Sequence, residues 1–413
     1  MIGRWGWILR RAARRIWFRA GLFSLLGVAT ALLGAWASPY IPVNVSTTIG
    51  SDAVDNILGI LASSMLTVTT FSLSTMVSAY SAATSNVTPR ANVLIMEDST
   101  TQNVLSTFIG TFLFSLVGIV ALSTGTYGEQ GRAILFGVTI LVIVFILVTL
   151  LRWIDHLSRL GRVTETTQRV EEAALAAVRE RHLLPYLGAK PLWDRERDVP
   201  DEAQRLAPPS IGYVQHVDVG ALSDLASEAG ARIFVLRLPG ELADVTQPIV
   251  AVQGGSIDAK RIVGCFTIGD RRSFDQDPRF GVCVLTEVAS RALSPATNDL
   301  GTAVDVINRL LRVLAAWAEP DEEREGDIDN VFVPPLRADD LFDDAFLAIA
   351  RDGASVVEVG MRLQKALLTL SRLDHPDFAA AARRHSRHAL ARAERALAFE
   401  DDADRLRELA ARV

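Results

Sequence analysis

The sequence predicts an α-helical integral membrane protein with four transmembrane helices, a cytoplasmic α+β domain and a helical C-terminal region. Three observations carry this reading. The 413-residue chain is 49% hydrophobic with a mean hydropathy of +0.25, high for a soluble protein. Four apolar runs without a charged residue occupy 20–37, 57–84, 104–122 and 133–151. Beyond residue 208 the pattern changes to short alternating segments and then to helical periodicity.

Each apolar run reaches or approaches the ~20 residues that cross a ~30 Å hydrocarbon core at ~1.5 Å per residue. The first nineteen positions hold Arg4, Arg10, Arg11, Arg14, Arg15 and Arg19 and no acid, whereas the loop after the first run offers only Asp52 and Asp55. The excess of arginine places the N-terminus in the cytoplasm. Arg90, and then Arg152, Arg159 and Arg162, fall on the same side, so the C-terminus is cytoplasmic too. Trp5, Trp7 and Trp17 suit a basic arm lying on anionic headgroups. Ala35-Trp36-Ala37 imitates a signal-peptide cleavage site, but the preceding apolar run of 18 residues exceeds the ~7–15 of such peptides and reads as a span.

The chain divides into a basic interfacial arm at 1–19, a four-span domain at 20–152, a helical stalk and linker at 153–207, an α+β domain at 208–318 and a helical region at 319–413. Ser38-Pro39 ends the first span, because a residue before proline resists the helical conformation. The second run extends to Ser85 and stops before Thr88-Pro89-Arg90; as a helix of 29 residues it is about 44 Å long and overshoots the bilayer. Residues 155–184 read as a charged helix continuing the last span, and Pro185, Pro191, Pro200 and Pro208-Pro209 punctuate the linker. Strands are expected at 213–219, 232–238, 249–252 and 262–268, with a helix over 218–229 between the first two. Helices follow from 280 to 293 and from 299 to 317. An acidic loop covers 319–329, and the remainder is helical at 338–350, 354–373 and 377–413.

The second span carries an unusual load of hydroxyls: twelve of the twenty-three positions from Ser63 to Ser85 are Ser or Thr. At ~100° per residue, Ser63, Thr67, Thr70, Ser74, Ser78, Ser81 and Ser85 share a sector of about 80°. Met65, Val68, Met76, Ala79 and Ala83 lie opposite, with Ser72 the exception. Small hydroxyl residues let helices approach closely, each O–H bonding back one turn. They also suit the wall of a watery path, where a hydroxyl offers both donor and acceptor. One helix cannot enclose a path, so this second reading requires a homo-oligomer, with Asp52 and Asp55 forming acidic rings at the outer mouth.

Composition excludes other classes. Residues 1–151 carry eight basic and five acidic side chains, leaving 34 basic and 43 acidic in 152–413, a balance of -9 that opposes nucleic-acid binding. Cys265 and Cys283 lack metal-ligand spacing and are expected to stay reduced. His375, His385 and His388 stand in an Arg-rich segment and read as a solvated helix face, while His216 is structural within a strand. No phosphate loop, dinucleotide-binding glycine pattern or nucleophile elbow is present. Accordingly no catalytic residue, metal or cofactor is assigned, and the protein is not expected to be an enzyme.

The segment FDQDPRFGVCVLTEVASRALSPATNDLGTAVDVINRL at 274–310 is the second concentrated signal. Asn298 or Asp299 can cap the helix that follows Ser294-Pro295, and Glu287 with Arg291 forms an i,i+4 pair. The helix start, with Arg291, Ser294, Asn298 and Asp299, is also a candidate ligand or anion site, which Arg271, Arg272, Arg279 and Arg291 would supplement and Asp277 and Asp299 would oppose, a cation at these two carboxylates being the alternative. With the hydroxyl-rich span leading into Thr88-Pro89-Arg90, the 98–110 entry into the third span, Gln276-Asp277, Phe280-Gly281, and Arg291 to Pro295 through Asn298-Asp299 to Thr302-Ala303, the chain resembles a bacterial family of predicted membrane proteins. That family is the domain of unknown function numbered twenty-two fifty-four. Its members typically carry a proline after the Asn-Asp pair, where this chain has Leu300. The resemblance implies a four-span inner-membrane protein with a cytoplasmic domain and supplies no activity.

The functional expectation is a homo-oligomeric, channel-like protein whose second span lines an ion or small-solute path under a regulatory cytoplasmic domain. The alternative is a non-conducting membrane-anchored sensor or scaffold that binds a small ligand or protein partner at 291–299.

Overall fold

The computed structural model describes residues 16–37, 51–96, 98–124, 129–159, 161–319 and 326–413. Most of the basic arm, the loop after the first span and residues 320–325 of the acidic stretch lie outside the described residues. The described chain forms two compact units, one running to Asn86 and from Asn92 to Glu165, the other holding Val87–Ala91 and Thr166–Val413.

Among the described residues the first unit is built from helices: α1 (Ile16–Ala37), α2 (Ser51–Asn86), α3 (Asn92–Met96), α4 (Ser99–Ser123) and α5 (Glu129–Arg159). Among the described residues, Ala53–Ala82, Asn92–Ser123 and Gly131–Arg159 are three helices long and apolar enough to cross a membrane. The first expected span corresponds to α1, whose described apolar stretch is the shorter Phe18–Thr30. Helix α4 is the most enclosed, burying Phe108 and Phe114 with Ser106, Thr107, Thr111 and Ser115. Thr107 donates to the Asn103 carbonyl at 2.8 Å and Ser115 to the Thr111 carbonyl at 2.9 Å, so these hydroxyls satisfy themselves without a partner helix. Helices α1 and α4 meet backbone to backbone, because a Cβ on Gly27 would stand 2.5 Å from the Gly110 carbonyl oxygen and one on Gly110 would stand 2.8 Å from that of Phe23. Asp98 caps α4 by accepting from the Thr101 N–H at 2.9 Å and also pairs with His156 of α5 at 2.8 Å.

Helix α2 begins at Ser51, ahead of the expected start at 57, so Asp52 and Asp55 belong to its first turns and do not stand outside the helix. The charged helix expected to prolong the last span is interrupted: α5 ends at Arg159, Gly161 takes a left-handed φ of 81°, and α6 runs from Val163 to Leu183. Only glycine adopts that conformation without strain, so the break is written into the sequence.

The second unit has an α+β core. One sheet has the order β1 (Ala189–Pro191), β8 (Ile328–Val333), β4 (Arg232–Val235), β6 (Val250–Gln253) and β2 (Gln204–Leu206). Strand β8 pairs parallel with β1 and β4, while β6 runs antiparallel to β4 and β2. A second sheet has the order β5 (Leu242–Ala243), β3 (Gly212–Val217) and β7 (Phe266–Gly269). Helix α7 (Val219–Ala229) is capped by Asp218, which accepts from the Ala221 N–H at 3.0 Å, and closes at Gly230 with φ 64°. Val214, Leu222, Ile233, Val250 and Val331 meet in one fully buried cluster. The strand expected over 262–268 starts later, at Phe266, because Asp258 accepts from the Lys260 N–H and starts α8 (Ala259–Val263), which Gly264 ends. Strand β8, between β1 and β4, occupies positions expected to belong partly to the acidic loop.

Around this core pack α9 (Pro278–Ala292), α10 (Leu300–Trp317), α11 (Ala338–Asp352), α12 (Val357–Leu370), α13 (Phe378–Ala396) and α14 (Glu400–Ala410). Glu171 of α6 anchors α10 through Arg309 Nη1 at 2.6 Å and Arg312 Nη2 at 2.9 Å. The single helix expected over 377–413 breaks between Ala396 and Glu400. His385 is also unlike the expected solvated face: it is 4% exposed, packed on Phe342 and Phe346, and bonded to Asp343 at 3.0 Å. Its spacing from Phe378, Ala381, Ala382 and Ala389 puts it on the buried side of α13.

Candidate functional site

In the helical unit the arrangement of α2 is decided by which of its faces the neighbours cover. Val54, Leu58, Ala62, Met65, Ser72 and Met76 are buried, at spacings of three, four and seven that trace one side of the helix. Trp153 of α5 donates its indole Nε1–H to Ser72 Oγ at 2.9 Å, which explains the hydroxyl that interrupts the apolar side. Ser63, Thr67, Thr70, Ser74, Ser78 and Ser81 are all exposed and stand opposite. Leu66, Leu73 and Val77 flank this line on one edge, Ile60 and Phe71 on the other, and all five are exposed. The hydroxyls therefore form the line farthest from the unit's own core. Ser85 lies in α2 and Asp52 in its first turn, but their side chains are outside the described residues; Asp55 is exposed.

Ser63 donates to the Gly59 carbonyl at 3.1 Å, Thr67 to Ser63 at 2.9 Å, Thr70 to Thr67 at 2.9 Å and Ser78 to Ser74 at 3.1 Å. With each proton turned back onto the helix, the oxygen lone pairs remain as acceptors on the outer side.

In the second unit, Arg291, Ser294, Asn298 and Asp299 are brought together by the turn between α9 and α10. Asp299 caps α10 by accepting from the Thr302 N–H at 3.0 Å and the Thr302 hydroxyl at 2.6 Å, and these donors hold its carboxyl below the usual carboxylate range. Asn298 takes a left-handed φ of 47°, and the Ser294 hydroxyl donates to the Arg291 carbonyl at 2.7 Å. Of the four residues only Ser294 is partly covered, and the polar groups of the turn serve the helix junction. Among the described ion pairs, Glu287 joins Arg90 instead of Arg291, and its second oxygen accepts from the Thr88 hydroxyl at 3.0 Å.

Sequence reasoning missed a polar cleft of about 900 Å3 in this unit, lined by residues 192–196, 237–242, 334–337 and 340 with Arg272, Asp277 and Arg279. Asp277 is 2% exposed and accepts from Arg272 Nε at 2.7 Å and Nη2 at 3.0 Å, while capping α9 through the Phe280 N–H at 3.2 Å. Burial pushes the Asp277 carboxyl up and would lower Arg272, but the bidentate fork raises the guanidinium; with two guanidinium N–H groups and a backbone N–H aimed at one carboxylate, the pair is ionic. Gly240, at φ 94°, lies so close to this carboxylate that a Cβ would collide with it. Arg181, enclosed behind the pair, donates to the Gln276 carbonyl at 3.1 Å, and burial lowers its guanidinium to about 10. The signal was present in Arg272, Asp277 and Arg279, but the other walls lie some eighty and forty residues earlier and sixty later in the chain.

A family described as "Predicted membrane protein (DUF2254)" matches residues 13–369. An uncharacterized protein of Mycobacterium bovis and one of Mycobacterium tuberculosis are each 27% identical over 289 residues, 65% of this chain and 54% of the relative. The chain thus matches about half the length of these relatives. No solved structure matches.

Proposed function

Because the chain belongs to the DUF2254 family of predicted membrane proteins, we propose that it is a four-span, homo-oligomeric, channel-like protein of the bacterial inner membrane in which the hydroxyl face of α2 lines a path shared by several copies. Here α1 supplies the first of the four spans, both termini are cytoplasmic, and the α+β unit regulates the path without a catalytic step. The observation that carries the reading is the outward placement of Ser63, Thr67, Thr70, Ser74, Ser78 and Ser81, opposite the apolar side that α2 presents to its own unit. A helix facing only lipid gains nothing from placing its most polar line farthest from its own core. In a ring of copies the same line faces the axis, and the apolar edges at Leu66, Leu73 and Val77 and at Ile60 and Phe71 meet neighbouring subunits. The outward lone pairs suit water or a cation, and Asp55 adds negative charge at the start of the helix.

The test is cation flux into liposomes holding the purified protein. Flux above the lipid background, altered by Ser74→Leu, supports the proposal. Vesicles that pass no monovalent or divalent cation at any applied voltage would falsify it.

A further inference from the structure

The cleft of the α+β unit has features that an ion-pair network does not require. Its arginines differ in how firmly they are held. Arg272 is gripped by Asp277 at 2.7 and 3.0 Å, Arg279 by Asp344 at 2.6 Å and Asp340 at 3.2 Å, and Arg195 by Glu241 at 2.8 and 3.2 Å. Arg237 and Arg337 also line the cleft, yet among the described ion pairs theirs are longer, at 3.7 Å to Glu241 and 3.8 Å to Asp339, although Arg237 donates as well to Gln247. These two retain guanidinium donors for an anion.

Trp193 lines the same cleft with 67% of its surface exposed, a large apolar area to leave in water. Tyr186 braces it, with ring centroids 5.9 Å apart and planes at 74°. Tyr186 and Leu187 have φ of 51° and 58°, a left-handed conformation that bulky L residues seldom adopt. Backbone strain is thus spent on the residue that positions the exposed indole.

We propose that this cleft binds a nucleotide, with the base stacked on Trp193 and the phosphate held by Arg237 and Arg337. A cleft of about 900 Å3 has room for such a ligand. A simple inorganic anion would leave the indole unused. A nucleic-acid strand would meet the -9 balance of residues 152–413, which repels a polyanion but tolerates a single small one.

The test is equilibrium dialysis of the full-length protein in nanodiscs against AMP, GMP, CMP, UMP and ATP, with ribose 5-phosphate and inorganic phosphate as base-free comparisons. At least one nucleotide binds saturably and more tightly than either comparison. Trp193→Ala weakens that nucleotide about tenfold while leaving ribose 5-phosphate unchanged. Arg237→Gln weakens both. Trp193→Leu, which keeps apolar bulk but no aromatic face, serves if the alanine variant does not fold. The proposal is overturned if none of the nucleotides binds better than ribose 5-phosphate, or if a folded Trp193 variant retains wild-type nucleotide affinity.

Discussion

Trp153 Nε1 donates to Ser72 Oγ at 2.9 Å inside the helical unit, which places a partnered hydroxyl on the buried side of α2. With Ser72 turned inward beside Met65 and Met76, the period of ~3.6 residues per turn carries Ser74, Ser78 and Ser81 to the opposite side. The buried hydroxyl and the exposed ones therefore have separate roles, and substitution distinguishes them.

Ser72→Ala leaves the Trp153 N–H buried without its acceptor, so it is expected to destabilise the protein by about 1–3 kcal/mol. Thermal unfolding of the detergent-solubilised protein reads this as a lowered midpoint, with ion flux per folded molecule unchanged. An unchanged midpoint would mean that the bond does not hold the helix.

Ser74→Leu should do the reverse. The Ser74 side chain is exposed among the described residues, so leucine adds apolar surface outside the unit's core and the unfolding midpoint stays within about 0.5 kcal/mol equivalent. The flux falls. Equal flux for Ser74→Leu and the wild type would place the hydroxyl line off the path.

Asp277→Ala strips the buried Arg272 of its counter-charge and α9 of its cap, at an expected cost of about 3–5 kcal/mol. Gly240→Ala should also destabilise the α+β unit, since a left-handed φ of 94° and the adjacent Asp277 carboxylate both oppose a side chain. Denaturant unfolding followed by circular dichroism measures both losses, and neutral substitutions would show that the unit does not depend on this packing.

Burial, reinforced by Arg384, holds the His385 imidazole below its ordinary value against the opposing pull of Asp343. His388 adds a smaller push in the lowering direction. A depressed folded-state value means that the unfolded chain takes up a proton first. Stability is full above about pH 6.5 and is lost as pH falls from there through the folded value. Unfolding midpoints between about pH 5 and 7 should show this slope, and His385→Asn should flatten it.

Burial, with Asp344 adding to it, pushes the Cys283 thiol up to about 11, in spite of Arg272 Nη1 at 3.4 Å. Alkylation by iodoacetamide at about pH 8 should be about a hundredfold slower than for the unfolded chain. Mass spectrometry of the labelled peptide gives the rate, and labelling as fast as that of the unfolded chain would contradict the burial.

Three of the four expected long apolar helices and the hydroxyl line were legible because apolar runs and a 3.6-residue period survive in the sequence without knowledge of any partner. Strands β3, β4 and β6 were legible for a similar reason: Val214, Ile233 and Val250 sit in short apolar segments bounded by turn residues. Strand β8 was not, since Asp329 and Asn330 interrupt its apolar positions directly after an acidic stretch, and only its pairing with β1 and β4 makes it a central strand. The cleft was hidden because Trp193, Arg237, Asp277 and Arg337 come from separate segments whose proximity is a property of the sheet order. His385 was misread because the arginines beside it in sequence suggest a solvated face, whereas its partners Phe342, Asp343 and Phe346 lie some forty residues earlier.

The most direct test of the shared path is a single-particle image of the intact protein in lipid nanodiscs. The expected result is a closed ring of identical subunits in which Thr67, Ser74 and Ser81 of every copy face a hydrated axis. A monomer, or an assembly in which these three side chains face lipid or are sealed between helices away from any axis, would contradict it.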